Sequence, residues 1–89
     1  MSATPTKPIT ISGHARFEMQ RRGITEAEVI VIIRNPDQAL PSRRGREVRQ
    51  SKVSAGRMLL RVVVKEQAQV YHVITAYKTG KVAKYWRQS

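Results

Sequence analysis

The sequence predicts an α+β fold, with two N-terminal helices packed on one face of a three- to four-stranded antiparallel sheet. Three observations lead there. Between residues 12 and 36, helix start and stop signals bracket apolar residues at helical spacing. From residue 46 onward, apolar and polar residues alternate in runs joined by short turns. The 89 residues leave room for one small core, and 40% hydrophobic with 26% charged residues marks a folded chain rather than a disordered one.

Residues 1–8 carry two prolines, two threonines and a lysine with nothing periodic to bury, so a flexible arm is expected before a single domain over residues 9–89. Ser12 is placed to cap a first helix running from about Gly13 to Arg22, with Gly23 supplying the left-handed residue that closes it. On that helix Ala15 and Met19 share one stripe, and His14, Glu18 and Arg21 share another. The second helix begins with a Thr25-to-Glu28 capping box, with Ile24 stapled onto Val29, and Asn35-Pro36 ends it. Residues 29–33, "VIVII", make it apolar around most of its circumference, so it is expected to be the more buried helix.

Strands are expected at about residues 46–53, 58–65 and 69–77. In the middle strand Met58, Leu60, Val62 and Val64 share a face; in the last, Val70, His72, Ile74 and Ala76 do. Helices covering those faces would leave Arg61, Thr75 and Tyr77 together on the open one.

Seventeen Lys and Arg against six Asp and Glu give a net charge of +11, the electrostatic footprint of a protein that meets polyanions: nucleic acid, ribosome or anionic lipid. With no cysteine, disulfides, zinc knuckles and thiol nucleophiles are excluded. The apolar run at residues 29–33 is too short to span a bilayer, and residues 1–10 hold no apolar signal-peptide core, so no membrane association and a cytoplasmic location are expected. Six acids, two of them placed to cap a helix, and two isolated histidines do not supply a two-metal hydrolytic site, so neither metal nor cofactor is expected.

A phosphodiester cleaved without metal is best attacked by the adjacent ribose 2′-hydroxyl, which restricts the substrate to RNA. The protein must then supply a base, an acid and cations for the charge on phosphorus. His14, at the positive start of a helix, is the candidate base or acid; its alternative is a helix-start residue bonded to the sheet or to solvent. Arg61, inside an apolar strand, is the candidate phosphate clamp, the alternative being an ion pair with Glu47. Thr75 and Tyr77 project from the same face, though strand propensity alone also explains them.

His72 is read as a packed core histidine. Arg22, beside Arg21, either grips a backbone or completes a helix C-terminus. Arg43, Arg44 and Arg46, with Arg49, form a basic cluster suited to phosphate. In the tail, Lys78, Lys84 and Arg87 stand with Tyr85 and Trp86, which either dock the C-terminus or stack on bases.

The ordered string His14-Ala15, Met19, Arg22-Gly23-Ile24, a capped helix ending at Asn35-Pro36, "GRMLLRVVV" and "VYHVITAYKTGKVAKYW" resembles the DUF4258 family over about residues 9–87. That family is similar to the toxin-type ribonucleases of barnase, EndoU, colicin and RelE-like fold. The resemblance implies two N-terminal helices against a four-stranded antiparallel sheet, with the active site on the far sheet face. It points to His14, Arg22, Arg61, Thr75 and Tyr77, with Lys84 and Tyr85 as additions, and to an acidic antitoxin as partner. Glu18 stands where many relatives carry a basic residue, and is expected to orient His14 rather than to touch phosphate.

The leading expectation is therefore a metal-independent RelE-like endoribonuclease acting on RNA, free or on the ribosome, with a 2′,3′-cyclic phosphate product. The alternatives are a non-catalytic RNA-binding or ribosome-associated module and a domain that docks on an acidic protein.

Overall fold

The computed structural model describes residues 7–88, so all but the last two residues of the expected N-terminal arm lie outside the described residues. Those two are held: Lys7 Nζ donates to Glu66 Oε2 at 3.0 Å, and the Pro8 carbonyl accepts from the Tyr71 N–H at 2.9 Å. The elements run β1 (Ile9–Ile11), α1 (Gly13–Arg21), α2 (Glu26–Arg34), β2 (Gln38–Pro41), a 3-10 turn (Arg43–Gly45), β3 (Glu47–Val53), β4 (Met58–Glu66), β5 (Tyr71–Thr79) and α3 (Val82–Tyr85). The sheet has five strands in the order β1-β5-β4-β3-β2. It is thus larger than the three or four strands expected. β2 to β5 pair antiparallel, while β1 pairs parallel to β5.

Local chemistry fixes the helix pair. Ser12 Oγ accepts from the Ala15 N–H at 3.0 Å, opening α1. At its other end Gly23 takes φ +68, and the N–H groups of Gly23 and Ile24 return to the carbonyls of Gln20 and Met19, a Schellman closure. Ile24 therefore arrives beside Met19, and both are buried. Thr25 and Glu28 form a reciprocal capping box at the start of α2.

One cluster forms the core: Ala15, Met19, Ile24, Val29, Ile32 and Ile33 from the helical segment meet Leu60, Val62, Val64, Val73 and Ala76 from the sheet. Each fully buried Val, Leu, Ile or Met side chain there contributes about 1.5–3 kcal/mol. Not all of α2 is sunk in it. Ile30 and Val31 are 37% and 59% exposed, so the second helix is less enclosed than its composition predicts.

The register of β5 corrects a second expectation. Val63 pairs with Thr75 but Val64 pairs with Val73, so Ile74 is an extra residue in a β-bulge. The bulge reverses the alternation: Val73 is buried in the core, while His72 leaves it for the other face. There its Nδ1 lies 2.6 Å from Thr10 Oγ1 and its Nε2 lies 3.0 Å from Gln67 Oε1. His72 is not the core histidine that uninterrupted alternation predicts.

Candidate functional site

Three adjacent strands carry one cross-strand row, Gln50 on β3, Arg61 on β4 and Tyr77 on β5, each directly opposite the next. Period-two alternation puts this row on the face away from the core residues Leu60, Val62 and Ala76. Arg61 is only 9% exposed. Its Nε donates to Gln50 Oε1 at 2.8 Å, its Nη1 donates to Tyr77 Oη at 2.6 Å, and its guanidinium carbon lies 4.2 Å from the centroid of the Tyr85 ring. Among the described residues no carboxylate pairs with it. Glu47 is not its partner, because Glu47 lies opposite Val64 and holds Arg49 at 2.5 Å.

A buried cation normally requires a counter-charge. Here neutral groups take that place: an amide, a phenol and an aromatic face. The acids are engaged elsewhere. Glu18, Glu26, Glu28, Glu47 and Glu66 pair with Arg21 and Arg22, Arg16, Lys78, Arg49, and Lys7 with Arg49 respectively. Asp37 accepts from the Lys52 backbone N–H. Alternation turns Glu47 and Glu66 to the helix side, so the face bearing Arg61 shows Lys52 and Lys65 and no strand carboxylate.

The helix-side carboxyls are held ionised. Arg21 keeps the Glu18 carboxyl below its usual range through a hydrogen bond, with Arg22 and His14 adding attraction; the Thr25 backbone N–H does the same for Glu28, and Lys7 for Glu66. Glu18 is thus committed to two arginines, and among the described residues it makes no hydrogen bond to His14.

The C-terminal segment covers part of the Arg61 face. Gln50 Nε2 donates to the Tyr85 carbonyl at 3.0 Å and to Gln38 Oε1 at 2.8 Å. Gln38 in turn binds the Arg87 backbone twice, donating to its carbonyl at 2.6 Å and accepting from its N–H at 3.0 Å. Lys52 Nζ sits 4.3 Å from the centroid of Trp86, and Lys84 Nζ sits 5.2 Å from that of Tyr85. The face expected to be open is therefore partly roofed by α3 and Trp86.

Of the residues singled out by sequence, Arg61, Tyr77, Tyr85 and Lys84 are brought together. Thr75 stands two residues from Tyr77 on the same face, opposite Val63. Arg22 is elsewhere, paired with Glu18 at 3.1 Å and donating to the Ala76 carbonyl at 2.9 Å. Lys78 turns to the helix side, 3.6 Å from Glu28. His14 is exposed on the first turn of α1. Arg43 and Arg44 are exposed in the 3-10 turn, with Arg44 at φ 59, and Arg46 follows half-buried. Sequence reasoning missed Gln50 and Gln38, since a glutamine in an alternating strand reads as a surface residue.

Among the described residues, no three His, Asp or Glu side chains converge on a place able to hold a metal ion. No helix among them is long and apolar enough to cross a membrane.

The profile of the family described as "Domain of unknown function (DUF4258)" matches residues 11–78, and the chain belongs to that family. The match takes in Gln50, Arg61, Thr75 and Tyr77 and stops before α3. Comparison with curated proteins and with solved structures finds no match.

Proposed function

We propose that the protein is a metal-independent endoribonuclease of the RelE-like toxin type, and that Arg61 is the centre of its phosphate site. One observation carries the reading: an arginine nine-tenths buried, its guanidinium held by neutral groups alone among the described residues, on a face without strand carboxylates. Such a cation is set for an external oxyanion, and arginine clamps phosphate oxygens in pairs. The four antiparallel strands behind two N-terminal helices support the RelE- and barnase-like comparison.

In this mechanism the 2′-hydroxyl of the substrate attacks the adjacent phosphorus as the bond from phosphorus to the 5′ oxygen breaks, giving a 2′,3′-cyclic phosphate and a 5′-hydroxyl. Arg61 neutralises the charge gathering on the non-bridging oxygens. The Tyr77 phenol accepts from Arg61 and keeps its own O–H for a phosphate oxygen, with Thr75 beside it for the ribose. His14 stands on the first turn of α1 and not in the Arg61 row; on this reading it takes the 2′ proton or protonates the departing 5′ oxygen. Arg43, Arg44, Arg46 and Lys84 hold the flanking backbone, with Tyr85 stacking; Arg22 and Lys78 are bound within the protein and fit that role less well. An acidic antitoxin would suit the same surplus of positive charge, as would RNA presented on the ribosome, in the cytoplasm.

The alternative is a non-catalytic RNA-binding module. It is favoured by one observation: among the described residues, no histidine nitrogen is hydrogen-bonded to Arg61 or Tyr77. Incubating the protein with single-stranded RNA in chelator and identifying the new ends decides between them. A 2′,3′-cyclic phosphate with a 5′-hydroxyl supports the nuclease, and binding without cleavage supports the module. Ends bearing a 5′-phosphate and 3′-hydroxyl refute the 2′-hydroxyl route.

A further inference from the structure

Gln50 is 0% exposed, and both polar atoms of its side chain are bonded along one line. Its oxygen accepts from Arg61 Nε at 2.8 Å, and its nitrogen donates to Gln38 Oε1 at 2.8 Å and to the Tyr85 carbonyl at 3.0 Å. The amide has one workable orientation. A guanidinium offers only donors, so the oxygen must face Arg61, and both carbonyl-type acceptors on the other side require the NH2. One side chain therefore fixes the floor of the site, Arg61, and the ring lying over it, Tyr85.

The residue type matters as much as the contacts. A carboxylate in the same place would satisfy Arg61 and cancel its charge as a buried ion pair. An aliphatic residue would leave the Nε–H without its acceptor. An amide alone orients the guanidinium and leaves its charge uncompensated.

We infer that Gln50 is the positioning residue of the Arg61 site, an amide that locks the guanidinium through Nε while keeping its positive charge available to an oxyanion. The inference rests on the reading of Arg61 as the phosphate-binding centre. It also gives the two glutamines a purpose: Gln38 extends the same line to Arg87 and ties the C-terminal segment to the lock.

The test compares wild type, Gln50→Glu, Gln50→Leu and Arg61→Ala in the full-length chain. Three readouts are followed: affinity for a labelled single-stranded RNA oligonucleotide at fixed salt, the Arg61 Nε–H resonance by NMR, and the melting midpoint. Trp86, the one tryptophan in the sequence, reports the C-terminal segment by fluorescence. Gln50→Glu is expected to retain the Nε–H resonance and the fold while RNA affinity drops about 10- to 100-fold, the span of a hydrogen bond to a charged group. Its carboxylate also repels the Tyr85 carbonyl, so Trp86 emission shifts to the red. Gln50→Leu is expected to lose the Nε–H resonance.

A purely structural glutamine would lose affinity only in step with the melting midpoint, so an affinity loss at an unchanged midpoint separates the two. Wild-type affinity in Gln50→Glu, together with lost binding in Arg61→Ala, overturns the inference. So does an unchanged Nε–H resonance in Gln50→Leu. Should Arg61→Ala bind RNA as well as wild type, the phosphate-centre reading fails, while the Nε–H resonance still decides whether Gln50 positions Arg61.

Discussion

Arg61 and Tyr77 face each other across adjacent antiparallel strands, and the guanidinium donates to the phenol oxygen at 2.6 Å. A phenol bound in this way is an acceptor towards the arginine and a donor towards whatever lies beyond it. Tyr77→Phe removes that donor and costs about 0.5–1.5 kcal/mol of stability. On the nuclease reading it also slows RNA cleavage by roughly tenfold or more, and Arg61→Ala abolishes turnover and weakens RNA binding at least as much as Gln50→Glu does. Single-turnover rates on a defined oligonucleotide check this. Equal rates for wild type and Arg61→Ala would rule it out.

Binding should be markedly salt-dependent. Roughly four to six phosphate contacts give a log-log slope of about −3 to −5 for affinity against salt, measured by fluorescence anisotropy. Replacing the exposed Arg43 and Arg44 together should lower the slope by about one to two, uniformly across RNA sequences. A flat salt response would count against any polyanion reading.

The bulge at Ile74 makes a prediction that inverts the simple alternation of β5. Val73 is 1% exposed and His72 is half-buried on the other face, bonded to Thr10 and Gln67. Val73→Ala should cost about 2 kcal/mol and His72→Ala about 1 kcal/mol or less, read from urea unfolding. The opposite ranking would mean that the strand runs without the bulge.

Acid should loosen the fold. Arg21, the Thr25 backbone N–H and Lys7 hold the Glu18, Glu28 and Glu66 carboxyls below their ordinary value of 4.5. A carboxyl with a lower folded than unfolded pKa stabilises above the unfolded value, and that stabilisation disappears as pH falls through the folded one. The melting midpoint should hold between about pH 7 and pH 5 and fall below about pH 4.5. A midpoint unchanged down to about pH 3 would show that these pairs contribute nothing.

The capping box offers a local check. Thr25→Ala removes an acceptor for the Glu28 N–H and should destabilise the protein by about 0.5–2 kcal/mol, whereas Thr25→Ser should cost much less. Denaturant midpoints at constant slope would show it.

Much of the helix pair was legible because its signals are local: Ser12, Gly23, Thr25 and Glu28 act within four residues of themselves. The long strands followed from alternation. What escaped depended on partners distant in sequence. β1 and β2 span three and four residues, too short for a period to register, and they exist because β5 and β3 lend them hydrogen bonds. The Ile74 bulge leaves no composition signal, so alternation alone puts His72 on the wrong face. At the site, Arg61 and Tyr77 were legible as odd polar residues in apolar strands. Gln50 was not, since its burial arises only when the C-terminal segment folds back across β3.

Arg22 reaches past its own helix to the Ala76 carbonyl, on the side of β5 where β1 pairs only as far as Val73. Past that point the strand margin would otherwise offer a template to a neighbouring molecule. A guanidinium seated on one of its acceptors blunts that invitation, and the charge it carries repels a second copy of so cationic a chain. The arginine thus has a bearing on solubility in a crowded solution: Arg22→Ala should self-associate at concentrations where the parent protein stays monodisperse.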